Sequence, residues 1–134
     1  MTPIKVGILD DFQNVTRSFA DWSRLPAHVF VTVFNEHFEG EELIRRIAPF
    51  DVLVITRERT PFARALIERL PNLKLLVTTG WRNLGIDMVA CRERGVLLSV
   101  AGANVIRFAP PLIVGKQHVD EAVAVLDDVL SVRS

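Results

Sequence analysis

The sequence predicts an α/β domain on a doubly wound parallel sheet of five strands, in the order 2-1-3-4-5. Three observations carry that expectation. Short apolar runs alternate with helical patches along the chain. The runs are near-continuous rather than strictly alternating, as in parallel strands covered on both faces. The length, 134 residues, suits one domain at roughly 100–200 residues each, so 1–134 reads as one unit.

Ile4–Leu9 reads as the first strand. His28–Phe34 is the second, rich in β-branched and aromatic residues. Asp51–Thr56, Leu73–Thr78 and Val96–Val100 complete the set. Between them, Val15, Phe19 and Trp22 form one stripe of a helix expected over Gln13–Leu25. Leu43, Ile44 and Ile47 mark a second helix after Glu41. Thr60-Pro61 reads as a helix start, with Thr60 capping and Pro61 in the first turn, running to about Leu70. Ile86, Val89 and Ala90 open the next, closed by Arg94-Gly95 with Gly95 as the left-handed cap. Right-handed crossovers then favour the flavodoxin-like strand order.

The tail departs from this alternation. Ala101–Asn104 is too short for a parallel crossover. Val105–Phe108 is strand-like, but Pro110-Pro111 stops it, so it reads as a hairpin arm or an extended wrap. A last helix carries Val119, Ala122, Val123, Leu126 and Leu130 on one face. That stripe is expected to take the fifth helix position and close one face of the sheet.

Sixteen Lys+Arg balance sixteen Asp+Glu. Zero net charge argues against a nucleic-acid partner, which would select a basic surplus. No apolar run approaches the ~18–20 residues of a membrane helix, so no membrane partner is expected. A single cysteine, Cys91, and a start without a signal-peptide pattern suggest a reducing, cytoplasmic setting.

Ligands of doubly wound sheets sit at the carboxyl ends of the strands. Asp10-Asp11 ends the first strand. A phosphoacceptor receiver would also need an Asp ending strand three and a Lys ending strand five; Thr56-Arg57 and Val100 stand there instead. Asp11 or Asn14 therefore reads as a helix cap. The dinucleotide pattern G-x-G-x-x-G and the P-loop are both absent. His28, His37 and His118 lack metal-ligand spacing and read as surface histidines. Cys91 reads as a packing residue. No catalytic or metal-binding residue is expected from these patterns.

Two loops remain as binding candidates. Arg57, in Arg57-Glu58-Arg59-Thr60, has the fork geometry for a carboxylate. Its alternative is a solvated charged loop. In Gly80-Trp81-Arg82-Asn83, Gly80 admits close backbone approach, and Arg82 and Asn83 add donors. The alternative there is a turn capped by Asn83.

These residues carry a resemblance. Positions 3–100 resemble the substrate-binding domain of D-2-hydroxyacid dehydrogenases of the phosphoglycerate-dehydrogenase-like type. The matching pieces are Ile8–Asp11, Arg57–Phe62, Leu70–Leu76, Thr78–Gly80, Ile86-Asp87 and Arg94–Val96. The resemblance implies a small 2-hydroxy or 2-oxo acid ligand, a substrate-side role for Gly80, Arg82 and Asn83, and NAD held by a further domain. In that family the catalytic arginine, glutamate and histidine belong to the part this chain does not match. No cofactor is therefore expected on these residues themselves.

Positions 104–130 are similar to something else: the C-terminal end of class III PLP-dependent aminotransferases of the ornithine type. The carriers are Asn104–Val114 and Val119–Ala122. There, the position of Arg107 implies a substrate carboxylate contact. Gly115 stands where that family has a Ser or Thr cap. Two families within one small domain lead to the expectation of a recombined or engineered chimera, a stand-alone scaffold without catalysis. The alternative is a dehydrogenase substrate lobe that needs an NAD domain. A homodimer is a further expectation, since a recombined domain can expose an apolar patch.

Overall fold

A computed structural model describes residues 2–79, 83–100 and 116–131. Its strands are β1 (Ile4–Ile8), β2 (Val29–Val33), β3 (Val52–Ile55), β4 (Leu75–Thr78) and β5 (Leu97–Val100). They form one sheet in the order β2-β1-β3-β4-β5, and every pairing is parallel. The expected topology is the observed one. Asp51 sets the register at the amino ends. Its carboxylate accepts from the Lys5 amide at 2.9 Å and from Lys74 Nζ at 3.0 Å. Its backbone carbonyl accepts from the Lys74 amide at 2.8 Å. The Lys5 amide is the main reason the Asp51 carboxyl is held below its ordinary range.

Three helices cover one face: α1 (Gly40–Ile47), α2 (Arg64–Ile67) and α3 (Met88–Glu93). The register Gly7↔Leu53 and Leu53↔Leu76 puts these residues beneath them. Leu53, Ile55 and Leu76 are fully buried, packed with Leu43, Ile47, Ile67, Ala90 and Cys91 from the helices. Gly7 packs tightly here. A Cβ on it would stand 3.0 Å from Leu53 Cδ2 and 3.2 Å from the Phe50 ring. α3 begins on Asp87, whose carboxylate accepts from the Ala90 amide at 2.8 Å. It ends before Gly95 at φ +68, as the sequence predicts.

Two helical expectations are corrected. The span Gln13–Leu25 holds two 3-10 turns, Thr16–Ser18 and Trp22–Arg24, instead of one helix. Asn14 is left-handed at φ +52, and Asp21 is extended and caps the second turn through the Ser23 amide. Such side-chain-to-backbone bonds compete with helix propagation. Phe19, counted in the apolar stripe, is 80% exposed. The second correction concerns Thr60-Pro61. Helix α2 starts only after Ala63, because Phe62 is held in an isolated parallel bridge with Ile86.

A fourth helix, α4 (Lys116–Ser131), follows in sequence. Its Val119 and Val123 remain 49% and 54% exposed, so this part of the stripe is not buried on the sheet. The arm Val105–Phe108 lies outside the described residues. Among the described residues, no helix is long and apolar enough to cross a membrane.

Replacing Leu53 with Ala should cost about 2–5 kcal/mol, because the site is closed on all sides. Urea unfolding would measure it, and a loss under 1 kcal/mol would place the core elsewhere.

Candidate functional site

The carboxyl ends of β1 and β3 adjoin at the point where the strand order reverses. Asp10 follows β1 there with φ +60 and is 3% exposed. Its Oδ2 accepts from Thr60 Oγ1 at 2.6 Å. Its Oδ1 lies 2.8 Å from His37 Nδ1, and His37 Nε2 lies 3.1 Å from Glu39 Oε1. One buried carboxylate thus ties together the segments that follow β1, β2 and β3. The hydrogen bond to Asp10 is the main reason the His37 pKa is raised. Protonated, the ring donates from both nitrogens to both carboxylates.

Asp11 has a different task. Its carboxylate accepts from the Val15 amide at 3.2 Å and the Thr16 amide at 3.0 Å. It holds the amides that lead into the first 3-10 turn, whose N-cap position is Val15, while the helix it was expected to cap does not form. The Thr16 amide is the main cause of its lowered pKa. Arg59 donates through Nη1 to the Asp10 carbonyl at 3.2 Å and lies 5.0 Å over the Phe12 ring. Together with Asp11, Gln13, Thr16 and Thr56 these residues line an open cavity of about 370 Å³.

The loops after β3 and β4 are fastened to each other. Arg57 adopts a left-handed backbone, φ +45, and its amide donates to Thr79 Oγ1 at 3.2 Å. Its carbonyl accepts from Asn83 Nδ2. The same Nδ2 donates to Thr78 Oγ1 at 2.9 Å, and Asn83 Oδ1 accepts from the Gly85 amide at 2.9 Å. Asn83 is buried and uses both amide hydrogens internally, so it positions the loop. The Arg57 side chain is exposed. Asp10, Asn14 and Arg57 are the non-glycine residues with positive φ among those described. All three sit at the carboxyl ends of β1 and β3, where strained backbone tends to mark function.

Of the five residues singled out from the sequence, the structure brings Arg57 and Asn83 together. Gly80, Arg82 and Arg107 lie outside the described residues. The Asp10–Thr60–His37 cluster escaped the sequence reading. Thr60 looked like a helix cap, and His37, exposed as the sequence reading has it, gave no sign of its partner, since Asp10 lies 50 and 27 residues away. The burial of Cys91 and its raised thiol pKa, caused by that burial, agree with a packing role. No group of three metal-ligating side chains occurs among the described residues.

The family model for the catalytic domain of D-isomer specific 2-hydroxyacid dehydrogenases matches residues 6–109. The chain belongs to that family. A phosphoglycerate oxidoreductase from Vibrio cholerae shares the dehydrogenase-type fold at TM-score 0.64 and 43% identity, over 72% of this chain and 31% of that one. A glyoxylate reductase from Paecilomyes thermophila matches at TM-score 0.56 and 22% identity, over 74% of this chain and 32% of its own; that likeness concerns fold alone. Acetylornithine aminotransferases also match in part. The one from Caldanaerobacter subterraneus is 54% identical over 39 residues, 29% of this chain and 10% of that protein. The one from Vibrio cholerae is 26% identical over 132 residues, 81% of this chain and 33% of that protein. This 2-hydroxyacid dehydrogenase family chain therefore spans a third or less of the length of these relatives.

Two outcomes follow for the Asp10 cluster. Thr60→Val should cost about 1–3 kcal/mol, because it deprives a buried carboxylate of a donor; urea midpoints measure it. The raised His37 pKa makes a stabilising contribution that is full below the unfolded value of ~6.5 and is lost as pH rises through the folded pKa. Urea midpoints of His37→Gln should lack this fall, and parallel pH profiles for both proteins would sever His37 from Asp10.

Proposed function

We propose that this chain is the substrate-side lobe of a D-2-hydroxyacid dehydrogenase. It binds small 2-hydroxy or 2-oxo acids at the carboxyl ends of β3 and β4, and hydride transfer needs an NAD-binding domain. The observation that carries this is the fastened pair of loops. Thr79 and Asn83 hold the Arg57 backbone from both sides, while its guanidinium stays exposed. A forked cation on a preorganised loop suits a carboxylate. Gly80 and Arg82 are assigned to the same ligand on the family resemblance. The lobe orients the acid. NAD, supplied on a further domain, would accept or deliver the hydride.

A second reading is a recombined or engineered chain in which the lobe serves as a scaffold without catalysis. The short aminotransferase match at 54% identity favours it. Arg107 would then be a carboxylate-binding arginine without its own cofactor pocket. The two readings separate on ligand binding.

Amide shifts followed during titration with glycolate and pyruvate decide between them. The lobe reading expects saturable shifts at Arg57, Thr79 and Asn83, weakened at least about tenfold in Arg57→Gln, in line with a lost charge-assisted bond. Silence at millimolar ligand would leave the scaffold. NADH fluorescence with the chain alone should show no saturable change, and tight binding would contradict both readings.

A further inference from the structure

A cavity of about 410 Å³ opens between the start of α1 and α2. Phe38, Leu43, Ile44, Pro61, Ala65 and Leu66 give it apolar walls. Small-molecule sites have this form: roughly 300–1,000 Å³, mainly apolar, with a few placed polar groups. Here those groups are His37 and Glu39, which line the same cavity. His37 is oriented by the buried Asp10, whose Oδ1 lies 2.8 Å from Nδ1. Asp10 accepts from Thr60 through its other oxygen. Nδ1 therefore carries a hydrogen in both states of the ring, and Nε2 is the atom that gains or loses a proton. Nε2 lies 3.1 Å from Glu39 Oε1.

The surrounding charges decide which ligand suits the cavity. Arg69 is engaged by Glu41, with Nη2 2.9 Å from Oε2. Arg46 stacks 4.2 Å over the Phe38 ring and pairs with Glu42 at 2.5 Å. Arg59 donates to the Asp10 carbonyl rather than to its carboxylate, and its guanidinium lies over the Phe12 ring. His37 thus faces two carboxylates, Asp10 and Glu39. Even a protonated ring does not balance both, so the site favours a cation over an anion. The Glu39 side chain is 84% exposed, and an exposed pair of this kind is weak. Its contact with Nε2 is open to exchange for a ligand.

We propose that this cavity binds a primary ammonium ion that carries an apolar chain or ring. The ammonium donates to Glu39 and to the unprotonated Nε2 of His37, and the apolar group packs against Phe38, Leu43 and Leu66. This site does not depend on what Arg57 and the loops after β3 and β4 bind. A ligand that donates to Nε2 competes with the proton there. The His37 pKa is raised, chiefly by the hydrogen bond to Asp10, so affinity for the ammonium rises as pH rises through that value. A carboxylate ligand would give the opposite slope.

Titration of the full chain with phenethylammonium, followed by amide shifts, tests this. Saturable shifts are expected at Phe38, Glu39 and Leu66, with affinity at least about tenfold higher at about pH 8.5 than at about pH 5.5. Glu39→Gln should weaken binding at least about fivefold through loss of a charge-assisted bond. Glu39 makes no side-chain cap to α1, so this variant keeps the helix start. Ala65→Leu, at an exposed position, fills the cavity and should weaken binding as well. Methylammonium lacks the apolar group, and 3-phenylpropionate carries a similar one with the opposite charge. Equal affinity for methylammonium reduces the effect to general attraction by acidic side chains and overturns the site. Tighter binding of 3-phenylpropionate, a flat pH profile, undiminished binding in both variants, or no saturable shift at millimolar ligand also overturns it.

Discussion

Burial of one sheet face under three helices is the constraint on which the domain depends. Leu53, Ile55 and Leu76 can be fully buried only if the backbone groups between them are paired along the strands. The parallel ladder supplies that pairing. It also requires every return connection to pass over a face, and this puts the sites of loop contact at one end of the sheet. Gly7 shows how tight the arrangement is, since even one added carbon would press on Leu53 and Phe50.

The geometry at the carboxyl ends of the strands follows from that packing. Because β1 and β3 are neighbours, the segments that leave them meet, and Asp10 is trapped between Thr60 and His37. A buried carboxylate is costly unless it is hydrogen-bonded. Its two side-chain partners therefore hold the chain in the left-handed turn at Asp10. Arg57 is pinned in the same manner by Thr79 and Asn83. The outcome is a rim whose backbone is fixed at Asp10 and Arg57 while the Arg57 side chain stays exposed.

Family membership and chain length pull in different directions. Residues 6–109 match a dehydrogenase family model, yet the chain spans under a third of the matched Vibrio cholerae structure. On the proposed reading this lobe orients the acid, and the hydride passes to or from a cofactor held on a further domain.

Much of the fold was legible in the residues themselves. The five apolar runs identified the strands, and the right-handed crossover rule gave their order. Leu43 and Ile47, spaced four apart, marked α1, and Gly95 marked the end of α3. Arg57 and Asn83 were singled out because they follow strand ends, and the structure joins them through the Arg57 carbonyl. What the sequence could not determine was set by contacts distant along the chain. Thr60 looked like a cap until Asp10, fifty residues earlier, took its hydroxyl. The stripe Val15, Phe19 and Trp22 looked helical, but local bonds from Asp11 and Asp21 captured the amides that a helix would have needed. Local spacing reports which face a segment can bury. Only the assembled sheet decides which polar groups meet across it, because those partners are brought together by strand order rather than by proximity in sequence.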